Sequence, residues 1–393
     1  MAAFKANPGG TLGIGSIFGR DKLAKLAWEQ LDQQSIQMTA ERRIGKTSLI
    51  RKMCKEAPSG WVPVLQDLEK IHTASDFSKS VFEKVEDYLS KKEKFANKAR
   101  QWLSEMGGAE VGGVFKMPKL EATSWKALLT HTIHDLVEGQ YPDRLVFFWD
   151  ELPYMLQGIG KRDGQDTAME VLDVLRAIRH EHHEGFRMVV TGSIGLHHVI
   201  STLKSQGYSN EPVNDLYHLE VPPLEPEDAR ELARALILGE GLIVTDMTES
   251  ITAIAEAADN VPFYIHHIVK HLKIHHQQKA DVAAITKSVE TQLRDANDPW
   301  ELRHYRDRLK TYYPNDEKVA LAILDAQATA DAPQSVDQLF EAVKSQETFT
   351  DRDHLLDLLR MMDQDHYLKR TADGYQFRFP LIGRWWRMDR ALS

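Results

Sequence analysis

Residues 39–50 read TAERRIGKTSLI, and the fold turns on them. Gly45-Lys46-Thr47-Ser48 is the closing half of a phosphate-binding P-loop, where backbone N–H groups surround phosphates, a lysine reaches the β- and γ-phosphates and a hydroxyl meets magnesium. Glycine belongs at the opening position, which here is Ala40. On either side, SIQMT (35–39) reads as a short strand and TSLIRKMCKEA (47–57) as a helix, so the loop falls between a strand and a helix N-terminus. WVPVLQDL (61–68) reads as a second buried strand, completing the first unit of a parallel α/β sheet.

Further along, RLVFFWDELPYM (144–155) is an apolar run ending in two acids, the pattern of a strand buried on both faces. FRMVVTGS (186–193) is another, ending in small polar residues. Between these strands lie helical patterns and one glycine-rich stretch, EMGGAEVGGVFKM, expected to be irregular or a hairpin. Prolines in VPPLEPEDARELARALI close the sheet region and acids open a helix. From there to about residue 296 the chain is helical. NDPWELRHYRDRLKTYYPND is an aromatic, charged connector. The end, 316–393, shows three helical patterns and then two alternating runs about Asp373-Gly374, the order of a winged helix.

The order of these features is what nucleoside-triphosphate chemistry requires. Ala40, Glu41, Arg42, Arg43, Ile44, Gly45, Lys46, Thr47 and Ser48 would wrap the phosphates. Thr47 and Asp150 would hold Mg2+, and Glu151 would polarise the attacking water as general base. Thr191 and Ser193 arrive at the same sheet edge, where ligands bind in open α/β sheets, and a hydroxyl there could touch the γ-phosphate or the water. If Ala40 had to adopt positive φ, the penalty would be about 1 to 2 kcal/mol, or about tenfold in affinity, so the substitution alone does not remove the site.

Composition excludes several classes. At 393 residues the chain can hold two or three domains, and its 42% hydrophobic and 27% charged content is that of an ordinary globular protein. A net charge of -9 gives no overall basic field for nucleic acid. The single cysteine, Cys54, permits neither an internal disulfide nor a cysteine-based metal site, which fits a reducing cytoplasm. No run reads as a signal peptide or membrane span. The 17 histidines include His180, His182 and His183 and the pairs His197-His198, His266-His267 and His275-His276; none has HExxH spacing, and they are expected at solvated positions and helix ends. Arg176 and Arg179 read as a solvated or salt-bridged face, and Trp385-Trp386 as anchors of an end helix.

ERRIGKTSLI, the strand ending DELPYM, the strand ending TGSIGL and the later NVPFYI together resemble the archaeal-type P-loop ATPases of the STAND and AAA+ group, relatives of origin-recognition ATPases. IFGRDKLAKL (17–26) resembles that group's N-terminal box. The resemblance spans nearly the whole chain, including the helical lid and the end FRFPLIGRWWRM. It implies an ASCE-type core, a base lying near Phe18, Gly19 and Arg20, and Pro262 near the nucleotide. The chain departs from the pattern twice. Asn260 stands where the lid segment carries glycine, and SNEPVNDLYHLEV lacks the arginine that completes a neighbour's site in ring-forming relatives.

The expectation is therefore an α/β P-loop NTPase core, a helical lid and a C-terminal winged helix, divided as a flexible leader (1–20), core (21–222), lid (223–296), connector (297–315) and winged helix (316–393). Its function would be a slow or partner-stimulated ATPase switch using ATP and Mg2+, with a protein partner or self-association. A DNA loader related to initiators is the first alternative, and a non-hydrolysing nucleotide scaffold the second. The third winged-domain helix, DRDHLLDLLRMMDQD (351–365), sets five acids against two arginines, which disfavours DNA.

Overall fold

A computed structural model describes residues 4–10, 13, 15, 17–90, 97–111, 114–116, 124–138, 143–192, 195–204, 207–346 and 349–392. The chain divides into two compact units. A sheet unit comprises Asp21–Ala40 and Lys46–Val221; a C-terminal unit comprises Met1–Arg20, Glu41–Gly45 and Pro222–Ser393.

In the sheet unit, α1 (Asp21–Leu31) leads to β1 (Ile36–Thr39), and α2 (Lys46–Lys55) to β2 (Trp61–Asp67). Next come α3 (Ala74–Ser90), α4 (Asn97–Glu105), a small hairpin of β3 (Ala109–Val111) and β4 (Val114–Lys116), and α5 (Trp125–Glu138). Then follow β5 (Arg144–Asp150), α6 (Leu152–Arg162), α7 (Gln165–Glu181), β6 (Phe186–Thr191), α8 (Leu196–Lys204) and β7 (Tyr217–Glu220). Five strands form one sheet in the order β2-β5-β6-β1-β7, every pair parallel.

The sheet forms because its inner strands are apolar throughout rather than alternating. Leu145 to Trp149 are each at most 1% exposed, as a strand covered on both faces requires. Trp149 places its indole N–H on Gln66 Oε1 at 2.9 Å, so the buried polar atom of β5 is satisfied by β2. Register then sets the sheet's carboxyl edge: Asp67 pairs with Asp150, and Met38 with Thr191. Arg179 is buried, bonded to Asp215 and to the Pro212 carbonyl, while Arg176 donates to the Glu211 carbonyl. Arg179 thus forms the salt bridge of that expectation but is buried rather than solvated, while Arg176 holds a backbone carbonyl of the segment leading into β7.

The C-terminal unit holds α9 (Pro226–Glu240), α10 (Met247–Ala257), α11 (Pro262–His275), α12 (Val282–Leu293), α13 (Arg303–Asp307) and α14 (Leu309–Tyr312). After these come α15 (Glu317–Thr329), α16 (Val336–Gln346), α17 (Arg352–Gln364), β8 (Leu368–Arg370), β9 (Tyr375–Phe377) and α18 (Pro380–Asp389). Asp246, Asp281 and Asp351 cap α10, α12 and α17, each accepting a backbone N–H in the first turn. Strands β8 and β9 pair antiparallel around the four residues 371–374, closed by Thr371 N–H donating to the Gly374 carbonyl at 2.7 Å. Trp385 and Trp386 are both buried, and Asp325 on α15 accepts from the Trp386 indole at 2.8 Å and from Arg390 at 2.6 Å. Of the five acids of 351–365, Asp365 is buried and accepts from the Tyr313 hydroxyl. The surface of α17 is accordingly less acidic than its sequence. Part of the N-terminal segment packs on α9 and α11: Ala6 N–H donates to Glu240 Oε1 and Asn7 N–H to His266 Nδ1.

Candidate functional site

In the sheet unit the predicted residues converge at the carboxyl edge. Lys46 opens α2, and its ammonium donates to the Gly192 carbonyl at 2.5 Å, just past the end of β6. Asp150, 8% exposed at the end of β5, accepts from three donors. These are Thr47 Oγ1 at 3.1 Å, Thr191 Oγ1 at 3.2 Å and the Glu151 backbone N–H at 3.2 Å. The Thr47 hydroxyl and the Asp150 carboxylate are hard oxygen donors side by side, the kind magnesium takes with water completing its shell. Glu151 has a left-handed backbone, φ 61° and ψ 33°, and stands at the N-terminal boundary of α6 without its side chain capping the helix. Such a conformation in a non-glycine residue is costly and is commonly found where a side chain must be aimed. Ser193 lies outside the described residues. Asp67 neighbours Asp150 in register but is exposed, and its carboxylate accepts the Glu69 N–H at 3.0 Å.

The loop between β1 and α2 answers the question raised by Ala40. Its left-handed residues are Arg43, φ 67°, and Gly45, φ 99°. Ala40 is not among them, so the anticipated penalty does not fall there; it falls on Arg43, at about 1 to 2 kcal/mol. The interior of the loop, Glu41–Gly45, makes its contacts within the C-terminal unit. Arg43 Nε donates to Glu301 Oε2 at 3.0 Å, Arg42 reaches the same oxygen at 3.0 Å, and the Arg43 guanidinium lies 4.8 Å from the Phe263 ring centre. Glu41 is buried, and Arg308 Nη1 and Nη2 lie 3.3 and 3.4 Å from its two oxygens. Burial by itself would raise the Glu41 pKa, but Arg308 and His304 outweigh it and hold the carboxyl at about 2. Ile44 is buried, and its carbonyl accepts from Arg20 at 2.9 Å.

Arg20 also donates to the Pro222 carbonyl at 2.8 Å, and burial, opposed by Asp228, brings its pKa down to about 10. Gly19 has φ 62°, and a Cβ there would meet Asp228 at 2.5 Å, so both conformation and space demand glycine. Phe18 packs on Phe4 with ring centres 5.5 Å apart. Pro262 occupies the first turn of α11, and Asn260, two residues before it, takes φ 57°. The glycine missing from this segment is thus replaced by a residue type that tolerates the left-handed region. His266 and His267, expected among solvated residues, are largely withdrawn from water, and burial lowers both to about pKa 4. The residues overlooked in the sequence are Glu301 and Arg308. Their signal was a charged, aromatic connector, which carries no motif.

No family model matches the chain, and no curated protein matches it by sequence. Solved structures do. The Walker-type ATPase of Pyrococcus abyssi is similar with a TM-score of 0.62 at 16% identity, covering 94% of this chain and 96% of that one. The Aeropyrum pernix ORC2 protein, solved as ADPNP–ADP complexes, is similar with a TM-score of 0.50 at 9% identity, covering 95% of each chain. With its five-stranded parallel sheet and the loop between β1 and α2, the chain has the α/β fold of the P-loop NTPases.

Proposed function

We propose that this protein is an ATP-binding and ATP-hydrolysing molecular switch of the STAND/AAA+ kind, acting in the cytoplasm. The observation that carries this is the Asp150 carboxylate, bridged by the hydroxyls of Thr47 and Thr191 at the end of the strand that should hold it. Residues 40–48 bind the triphosphate through backbone N–H groups, and Lys46 exchanges the Gly192 carbonyl for phosphate oxygens. Thr47 and Asp150 hold Mg2+, which when bound offsets the charge of the phosphates. Glu151 orients the attacking water and takes its proton, while Thr191 keeps the Asp150 carboxylate facing the site. Phe18, Gly19, Arg20 and Pro262 belong to the base end. Three helices followed by the β8–β9 hairpin support a winged-helix element that reports the nucleotide state to a protein partner. The lone thiol, Cys54, pushed up to about pKa 12 by burial, fits a chain that does not use cysteine chemistry. No helix among the described residues is long and apolar enough to cross a membrane.

Purified protein tests the assignment. Lys46→Ala abolishes binding of Mg-ATP by calorimetry. Glu151→Gln keeps binding and lowers phosphate release by about 100-fold or more. Hydrolysis by Glu151→Gln at the wild-type rate would show that another group is the base. ATP-dependent melting shifts without phosphate release, with or without partner, would replace the switch by a nucleotide scaffold.

A further inference from the structure

We propose that Arg308 and Glu301 are positioning residues for the phosphate-binding loop, fixing its interior before nucleotide arrives; this rests on the nucleotide reading of that loop. A P-loop works through backbone N–H groups, so its binding strength depends on how well its backbone is held. Three consecutive side chains of this loop are gripped by one short segment. Glu301 takes Arg42 and Arg43, and Arg308 takes Glu41. The grip on Arg43 matters most, because that residue sits in a left-handed conformation it would leave if released.

Arg308 is itself held on several sides. Its Nε donates to the Tyr367 hydroxyl at 2.9 Å and its Nη2 to the Asp365 carbonyl at 2.8 Å. Its guanidinium lies 4.3 Å from the Tyr367 ring centre and 4.6 Å from that of Tyr305. Tyr367 in turn donates to the Tyr305 carbonyl at 2.7 Å. A charge set this firmly can impose geometry on a buried carboxylate, and Glu41 is the only loop side chain it meets among the described contacts. Glu301 has φ 54°, so the anchor as well as the loop is held in a strained form. The ordering that a flexible loop would undergo on binding phosphate is therefore already complete, which strengthens binding without altering chemistry.

The test is steady-state ATPase kinetics and Mg-ATP calorimetry on full-length Arg308→Gln and Glu301→Gln, with hydrogen exchange read at residues 41–45. A preset loop serves ground state and transition state alike, so each variant raises KM and Kd, by about tenfold for Arg308→Gln, with kcat within about twofold. Amides of 41–45 exchange faster in both nucleotide-free variants. Glu41→Gln combined with Arg308→Gln is no weaker than the worse single variant, and Arg308→Lys restores part of the affinity. Glu301 is half-exposed, so Glu301→Gln keeps the test open if Arg308→Gln does not fold. Affinities within twofold of wild type with unchanged exchange would overturn the positioning role alone. Wild-type protein that binds ATP no better than Lys46→Ala would overturn the nucleotide reading, and this inference with it.

Discussion

Arg43, not Ala40, carries the backbone irregularity of this P-loop. With no left-handed conformation to relieve at residue 40, Ala40→Gly is expected to change Mg-ATP affinity by less than about threefold, measured by calorimetry. Asn260 makes the complementary case: Asn260→Ala places a Cβ-bearing residue without a compensating side chain at φ 57° and should cost about 1 kcal/mol in chemical denaturation, whereas Asn260→Gly should not destabilise. Much of the sheet's carboxyl edge was legible from residue types. Lys46, Thr47, Asp150 and Thr191 meet as their spacing along strand, loop and helix implies. What spacing could not convey was which loop residue would take positive φ, since arginine announces no such conformation, nor that Glu41 would be buried against Arg308, since that pair is joined by tertiary contact rather than by period.

Strand β5 shows why the sheet was readable and the C-terminal end only partly so. An apolar run closed by Asp150-Glu151 has few structural alternatives, and its interior is sealed. Phe148→Ala should therefore cost about 3 to 5 kcal/mol in denaturation, with little relaxation to offset it. Helix α17 was equally plain as a helix, but its charge was not. Asp351 is used as the cap, Asp357 pairs with Arg360 at 2.9 Å, and Asp365 is interior. Of these, only the burial of Asp365 lowers the net of the surface, since Asp357 and Arg360 were already counted against each other and the capping Asp351 stays exposed. The β8–β9 connection was placed correctly at Asp373-Gly374, yet it spans four residues, which a dipeptide signal does not specify.

Across the molecule, buried histidines make stability depend on pH. His266 and His267 titrate near pKa 4 in the folded chain and near about 6.5 when unfolded, so between these values the unfolded state binds more protons. The stability these two histidines contribute is therefore full above about pH 6.5 and declines as pH falls toward 4. Glu41, held at about 2, stays charged through that window and adds its own loss only below the unfolded carboxylate range. Scanning calorimetry at pH 7.5 and 5.5 should give the lower Tm at 5.5, and His266→Gln, which keeps an acceptor for the Asn7 N–H, should narrow the difference. The assignment of Glu41–Gly45 to the C-terminal unit bears on how the protein can be dissected. A fragment ending at Val221 would retain every residue of the phosphate signature while losing Glu301, Arg308 and Phe263. Such a piece would keep the whole sequence signature, yet residues 41–45 would lose the side chains that hold them, so the smallest unit able to preserve the loop's shape extends far beyond the segment that spells it.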